Sequence, residues 1–206
     1  MRKAVDRNHS SVHRNQREEF EVERSEAFEL LGKYVEGDVV LKHSLSVESS
    51  MRQMARFYGE DIEKFGLAGL LHDIDYEKFP ETHPHSGTPI LREAGVPEDI
   101  VSAILGHATE SPRDTLMAKA LFAVDELSSF VTACALMRPS RSYDDLEVSS
   151  VNKKLKSKGF ARGVDRELID IGASELGLDK DLLIMEVIKG LRTREKELTL
   201  LGYSTL

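Results

Sequence analysis

The chain of 206 residues has only one cysteine, Cys134. A single thiol forms neither an internal disulfide nor a site of several thiolates, so any metal ion must be held by nitrogen and oxygen ligands. Long apolar runs are also missing: residues 66–71 and 120–124, the longest, fall far short of the roughly 20 residues that a membrane span needs. The charged N-terminus lacks the apolar core of a secretory signal. We therefore expect a cytoplasmic protein that does not enter a membrane.

Positive charge is in deficit, with 28 Lys+Arg against 36 Asp+Glu and a formal net charge of −8. This balance weighs against general nucleic-acid binding, because such binding depends on neutralising phosphates. Hydrophobic residues make up 40% of the chain, and a single domain of this length buries roughly 70% of the surface that its unfolded form exposes. The seven histidines are the one chemical hint in this composition.

Strand signals are nearly absent, since no strict alternation exceeds about four residues and no Asn-Gly hairpin signal occurs. Apolar residues recur at helical spacing from Phe20 onward, whereas residues 1–19 are charged, aperiodic and typical of a flexible tail. We predict an all-α, compact single-domain helical bundle over residues 20–206, with a motif region at 41–138 and C-terminal helices at 144–203. The tail histidines, His9 and His13, are expected to be solvated.

Proline and glycine residues are predicted to separate the helices of the bundle. All six prolines lie between residues 80 and 139, where they favour short helices and turns. Gly59 is predicted to end the second helix, and Pro97 to begin a helix that ends near Gly106. The segment from Thr115 to Met137 is predicted to form a long buried helix.

Several side chains that can bind a metal ion fall on helix faces that are predicted to be buried. His43 precedes Val47 by four residues, and His72 follows Ala68 by four, so both share the apolar stripe of their helices. Asp73 lies beside His72, near a helix C-terminus whose partial negative charge favours a cation.

Asp125 lies in the long apolar helix, where an unpaired carboxylate would be costly. Either a buried cation or hydroxyl satisfies it, or a metal ion does. Together with His43 and the His72-Asp73 pair, it forms a set of two imidazoles and two carboxylates that suits Mn, Fe, Co, Ni or Zn, with Mg as a further candidate.

In order, spacing and helical context, this set resembles the HD-domain superfamily of metal-dependent phosphohydrolases. The resemblance covers roughly residues 41–138. The segment Gly-Leu-Leu-His-Asp-Ile-Asp at 69–75 is similar to the family's motif, in which small and apolar residues precede the His-Asp pair. Asp75 stands where the common His-Asp-Ile-Gly form of this motif has Gly, and no Gly-Tyr-Pro motif follows. This departure disfavours the cyclic-di-GMP phosphodiesterases of that type.

The resemblance also implies a second ion, held by His85 and His107 with Asp73 as the bridge. The competing interpretation makes these two histidines phosphate ligands or hydrogen-bonded core residues beside a single ion. His83 is expected to be a loop residue and a bystander to this chemistry.

The resemblance implies hydrolysis of a phosphate ester of a small molecule, with a nucleotide as the favoured substrate and a homodimer compatible with the fold. Asp73, Asp75 and Glu77 are the candidate catalytic residues, the last two as proton donors to the leaving group. The stretch 152–166 carries a local charge of +5, so Lys153, Lys154 and Lys158, together with Lys78, are candidate substrate-binding residues. The alternative for this stretch is a solvated helix face.

Two other functions stay open at this level. An HD-type diiron oxygenase would use the same six ligands, namely His43, His72, Asp73, His85, His107 and Asp125. A module that binds a metal or ligand without turnover is the lesser alternative.

Overall fold

The computed structural model describes residues 22–108 and 111–206. The predicted tail, with His9 and His13, and Phe20 of the predicted first helix lie outside the described residues. The described part is helical and without strands, which confirms the all-α prediction. Its α-helices are α1 Arg24–Leu31, α2 Asp38–Tyr58, α3 Ile62–Leu71, α4 Gly87–Glu93, α5 Glu98–Leu105, α6 Leu116–Leu136, α7 Val148–Leu155, α8 Arg166–Leu176 and α9 Lys180–Leu200, with a 3-10 turn at Pro80–Thr82.

The helix ends follow from local chemistry. Gly59 ends α2 in the left-handed conformation at φ 75°, which glycine adopts without steric cost. Pro97 is the N-cap of α5 and Gly106 its C-cap, as predicted. Thr115 begins α6, because its side chain accepts a hydrogen bond from the Ala118 N–H.

The long helix α2 forms the centre of the bundle and packs against α3, α6 and α9. At the contact with α3, Gly69 allows a close approach: a Cβ there would lie 2.8 Å from the carbonyl oxygen of Val47. A hydrogen bond of 2.8 Å between the buried hydroxyls of Ser50 and Ser128 joins α2 to α6. These two helices carry His43 and Asp125, so the bond fixes the relative position of two candidate ligands.

The helices α3 and α5 also pack together. His72 directly follows the last residue of α3, and His107 lies two residues beyond the end of α5. Both histidines are buried, as is Ile74 just after the His72-Asp73 pair. Two helix ends therefore bring two histidines to the same place in the core.

Candidate metal centre

His72 and His107 are held in the same way. The Nδ1 atom of His72 lies 2.8 Å from the carbonyl oxygen of Gly69, three residues earlier. The Nδ1 atom of His107 lies 2.5 Å from the carbonyl oxygen of Ile104, again three residues earlier. A carbonyl only accepts, so each Nδ1 donates, and in the neutral imidazole that binds a metal each Nε2 keeps a lone pair that faces the cluster.

His43 and His83 are held by side chains. The Nδ1 atom of His43 lies 3.0 Å from the hydroxyl of Ser129 on α6. The Nδ1 atom of His83 lies 2.6 Å from Oδ1 of Asp75, a buried carboxylate. All four rings thus present Nε2, the usual consequence of anchoring Nδ1 in a metal-binding histidine.

One group of ligand atoms surrounds Oδ2 of Asp73. The Nε2 atoms of His43 and His72 each lie 3.4 Å from this oxygen and 3.1 Å from each other. Oδ1 of Asp125 completes the group at 3.0 Å from His43 and 3.5 Å from His72. The structure therefore brings together the four residues that the sequence singled out first.

A second group surrounds the other oxygen of the same carboxylate. The Nε2 atom of His83 lies 3.3 Å from Oδ1 of Asp73, and that of His107 lies 3.8 Å from it. The two imidazole nitrogens are 3.0 Å apart. Asp73 is thus shared by two clusters of nitrogen ligands, one on each oxygen.

Most spacings in the two groups fit a divalent ion, and the longest is the 3.8 Å between Asp73 and His107. Ligand atoms bound to one ion at about 2.1 Å lie roughly 3.0 to 3.4 Å apart in octahedral or tetrahedral geometry. Two sets of three residues have their ligand atoms within 4.8 Å of one another, namely His43 with His72 and Asp73, and Asp73 with His83 and His107. The mixture of imidazole and carboxylate suits the borderline ions from Mn to Zn.

The electrostatics of the cluster favour a positive charge at its centre. Burial alone would lower the pKa of His72, but the charges of Asp73 and Asp125 raise it well above 6.5. Burial would raise the pKa of Asp125, yet the charge of His72 and the hydrogen bond from His43 hold it well below its usual range. The pKa of His107, in contrast, is lowered by burial and by the charge of His72.

A cavity of about 500 Å³ opens onto this cluster. Its wall contains ligand residues of both groups and Glu126, whose pKa is raised to about 7 by burial and by the charge of Asp125. The backbone N–H of Asp165 donates a hydrogen bond to the Glu126 carboxylate at 3.3 Å. Apolar and aromatic side chains, Val39, Val40, Tyr76 and Leu168, form another part of the wall. No lysine or arginine is among the described residues that line it.

His83, not His85, faces Asp73. His85 is exposed and belongs to neither ligand group in the described residues. This placement corrects the expectation that His85 lies beside Asp73 and that His83 is a bystander. Both histidines lie in the irregular segment after the 3-10 turn, where no helical period indicates which side chain points inward.

Asp75 and Glu77 do not line the cavity. Asp75 accepts hydrogen bonds from His83 and from the backbone N–H of Gly87, at 2.6 Å each. Glu77 accepts from the backbone N–H groups of Glu36 and Gly37, at 2.8 and 3.0 Å, and so holds the start of α2. Their positions favour support of the site rather than proton donation.

The candidate substrate-binding lysines also lie elsewhere. The Lys78 ammonium donates to the carbonyl oxygen of Lys33 at 2.6 Å and lies 5.0 Å from the centre of the Tyr34 ring. Lys153 and Lys154 line a different cavity, and Lys158 is exposed. The position of these lysines in the sequence did not reveal which cavity they line.

Sequence reasoning missed Glu126 and Ser129. Both lie on α6 near Asp125, one and four residues after it, and both line the cavity. Their position on the same helix was the signal that could have found them, and for Ser129 the spacing of four places it on the face of Asp125.

Comparison with known proteins agrees with this geometry. The family model of the HD domain matches residues 40–129. Ribonuclease Y of Nitratidesulfovibrio vulgaris (strain DP4) is 33% identical over 170 residues, which cover 79% of this chain and 32% of that protein. Ribonuclease Y of Rhodopirellula baltica is 29% identical over 182 residues, or 79% of this chain and 32% of the relative. Ribonuclease Y of Thermus thermophilus is 36% identical over 96 residues, or 45% of this chain and 17% of the relative.

The chain spans about a third of the length of the first of these relatives. No solved structure matches the chain. None of the helices in the described residues has the length and apolar character needed to cross a membrane.

The matched segment contains all six residues of the two ligand groups, and an HD domain implies a function of the metal-dependent phosphohydrolase type. The resemblance to the HD-domain superfamily is therefore confirmed over residues 40–129.

Proposed function

We propose that the chain is a metal-dependent phosphohydrolase that cleaves a phosphate ester of a nucleotide. His43, His72, Asp73 and Asp125 hold one ion, and His83 and His107 hold a second with Asp73 as the bridge. The observation that carries this proposal is the position of Asp73, whose two carboxylate oxygens face two separate sets of imidazole nitrogens.

Divalent ions bound in such a pair lower the pKa of water towards about 7 and stabilise charge on the attacking and leaving oxygens of a phosphoryl group. The residues of this chain hold the ligand groups in position for that chemistry. Bonds at Nδ1 hold the four rings with Nε2 towards Asp73, which favours binding of the ions without a large rearrangement. The absence of lysine and arginine from the described cavity wall leaves the ions as the source of positive charge for the phosphate.

The cavity supports a nucleotide-sized substrate. Its volume of about 500 Å³ lies in the range of small-molecule sites, roughly 300–1,000 Å³. The Tyr76 ring is 49% exposed at this cavity and offers a surface on which a base can stack.

An RNA phosphodiester is the second candidate substrate. The relatives are named as ribonucleases, and 79% of this chain aligns with two of those described above. The chain spans only a third of their length, and its net charge of −8 disfavours broad contact with an RNA backbone. We therefore place the small nucleotide first, together with the cytoplasmic location that the sequence favours.

Elemental analysis of the freshly purified protein, combined with a substrate screen, tests the proposal. The screen measures phosphate release from nucleotides and cleavage of a labelled single-stranded RNA. We expect up to two transition-metal ions per chain and hydrolysis that the Asp125→Ala variant loses. The His85→Ala variant is the matched control and should keep both metal and activity.

Three results would contradict the proposal. Full metal content and full activity of Asp125→Ala would refute the ligand assignment. Two irons, oxygen uptake on addition of substrate and no phosphate release would favour the diiron oxygenase. Bound metal without turnover of any compound in the screen would favour the non-catalytic module.

A further inference from the structure

A second cavity, of about 440 Å³, lies between the end of α6 and α7. We refer to it below as the α7 cavity. Its charged lining residues are Arg138, Lys153 and Lys154, and no carboxylate is among the described residues that line it. Three cations thus line one cavity in a chain of net charge −8, a local balance of charge that favours an anion.

The donors of these cations are largely available. Lys153 makes no ion pair with another described residue. The Lys154 ammonium lies 4.7 Å from the centre of the Phe160 ring, a contact that leaves its N–H groups free. Arg138 donates through Nη2 to Asp145 at 2.8 Å, while its buried Nε has no hydrogen-bond partner. A buried donor without a partner is costly, so an acceptor in the cavity would be favoured.

The rest of the lining is suited to a ring. Met137 is 63% exposed at the cavity, and Pro139, Leu146 and Cys134 add apolar surface. The hydroxyl groups of Ser150 and Ser157 can bond to polar edges of a ligand. Apolar walls beside a cluster of cations match a molecule with a flat ring and a phosphate group, and the volume fits a mononucleotide.

The α7 cavity is separate from the metal centre. Cys134 follows Asp125 on α6 by nine residues, which corresponds to about 14 Å along the axis at roughly 1.5 Å per residue. Nine residues also turn the helix by about two and a half turns, so the two side chains point to opposite sides. A single mononucleotide therefore does not reach both cavities.

We propose that the α7 cavity is a second ligand site, which binds a nucleotide through its phosphate to Lys153, Lys154 and Arg138. Occupation of this site does not require the metal centre. The proposal goes beyond the proposed function and does not depend on it.

Calorimetric titration with AMP tests the site. The full chain is titrated in EDTA, and the Asp125→Ala variant is titrated separately, so that neither sample hydrolyses the probe. We expect saturable binding with the same Kd in both. Inorganic phosphate and adenosine, titrated in parallel, should each bind more weakly than AMP, because each offers only half of the contacts.

Variants then locate the binding. Lys153→Ala with Lys154→Ala should weaken AMP binding by about tenfold or more, since two charge-assisted hydrogen bonds are lost. Lys156→Ala with Arg162→Ala removes the same charge from exposed positions outside the cavity and should change Kd less than about twofold. Equal weakening by both pairs, or no AMP binding by the wild-type chain in EDTA, would overturn the proposal.

Discussion

Asp75 lies 2.6 Å from His83, measured from carboxylate Oδ1 to imidazole Nδ1. The other oxygen of Asp75 accepts the backbone N–H of Gly87, at the first residue of α4, at 2.6 Å. The buried carboxylate therefore ties the irregular segment that carries His83 to the start of a helix. Through this connection a residue outside the cavity determines where one ligand of the second group stands.

The two histidines that flank Pro84 should differ in their effect on metal content. His83→Ala removes an Nε2 that lies 3.3 Å from Asp73, so it should lower the content by one ion per chain. His85→Ala removes an exposed ring and should leave the content unchanged. Elemental analysis of the two variants beside the wild type makes the measurement. Equal loss in both, or loss only in His85→Ala, would refute the second ligand group.

Asp75→Asn should weaken the second ion without displacing the first. The amide has one acceptor oxygen, whereas Asp75 now accepts from two N–H donors, so either His83 or Gly87 loses its bond. Loss of such a supporting contact costs about 10- to 100-fold in metal affinity. Calorimetric titration of the apo-protein with Mn²⁺ should show one weakened site and one unchanged site. Unchanged affinity at both would show that Asp75 does not position His83.

Glu48 makes the fold sensitive to acid. Its carboxylate on α2 is fully buried and accepts hydrogen bonds from Arg24 at 2.6 Å and from Arg52 at 2.8 Å. Burial alone would raise the pKa of Glu48, but these two guanidinium groups lower it below 4.5. A lowered pKa contributes stability that is present above pH 4.5 and is lost as the pH falls through the folded-state value.

Glu48→Gln should therefore lower the free energy of unfolding by about 3 kcal/mol at pH 7, because Arg24, Arg52 and Arg194 lose their buried partner. The difference from wild type should shrink as the pH falls below 4.5. Urea unfolding at several pH values measures it, with Glu29→Gln, an exposed position in α1, as the control. A difference that does not change with pH would contradict the assigned role of the charge.

Gly69→Ala should destabilise the bundle although alanine is the better helix former. Its Cβ would lie 2.8 Å from backbone atoms of Val47 and Glu48, so α2 and α3 would have to separate. Overpacking of this kind costs about 1–3 kcal/mol. Gly163→Ala is the matched control, because nothing lies within 4 Å of the added atom. Thermal unfolding should separate the two variants, and an equal Tm for both would contradict the close packing.

Much of the fold could be predicted because its signals are local. Gly59 ends α2, and Pro97 and Gly106 bound α5, through backbone properties of those residues themselves. The inward direction of His43 and His72 followed from their spacing to apolar neighbours on the same helix. These interactions are short in sequence, so a single chain reveals them.

The remaining features depend on contacts between distant segments. His83 rather than His85 faces the metal centre because Asp75 accepts a hydrogen bond from the His83 ring, whereas the His85 ring is exposed. The packing of α7 decides which cavity Lys153 and Lys154 line, and no local sequence pattern determines that packing. The excess of positive charge at 152–166 was visible in the sequence, but the cavity that these side chains line was not.

The four anchored imidazoles have a consequence for how the centre acquires its metal. Each ring is fixed by a bond to protein, to a carbonyl, a hydroxyl or a carboxylate, and none of these bonds requires an ion. We therefore expect the chain to fold without metal, unlike a zinc finger, whose chain is unfolded without its ion. A cage of nitrogen and oxygen ligands suits several borderline ions, so we expect the supply in the cell to help decide which of them is bound.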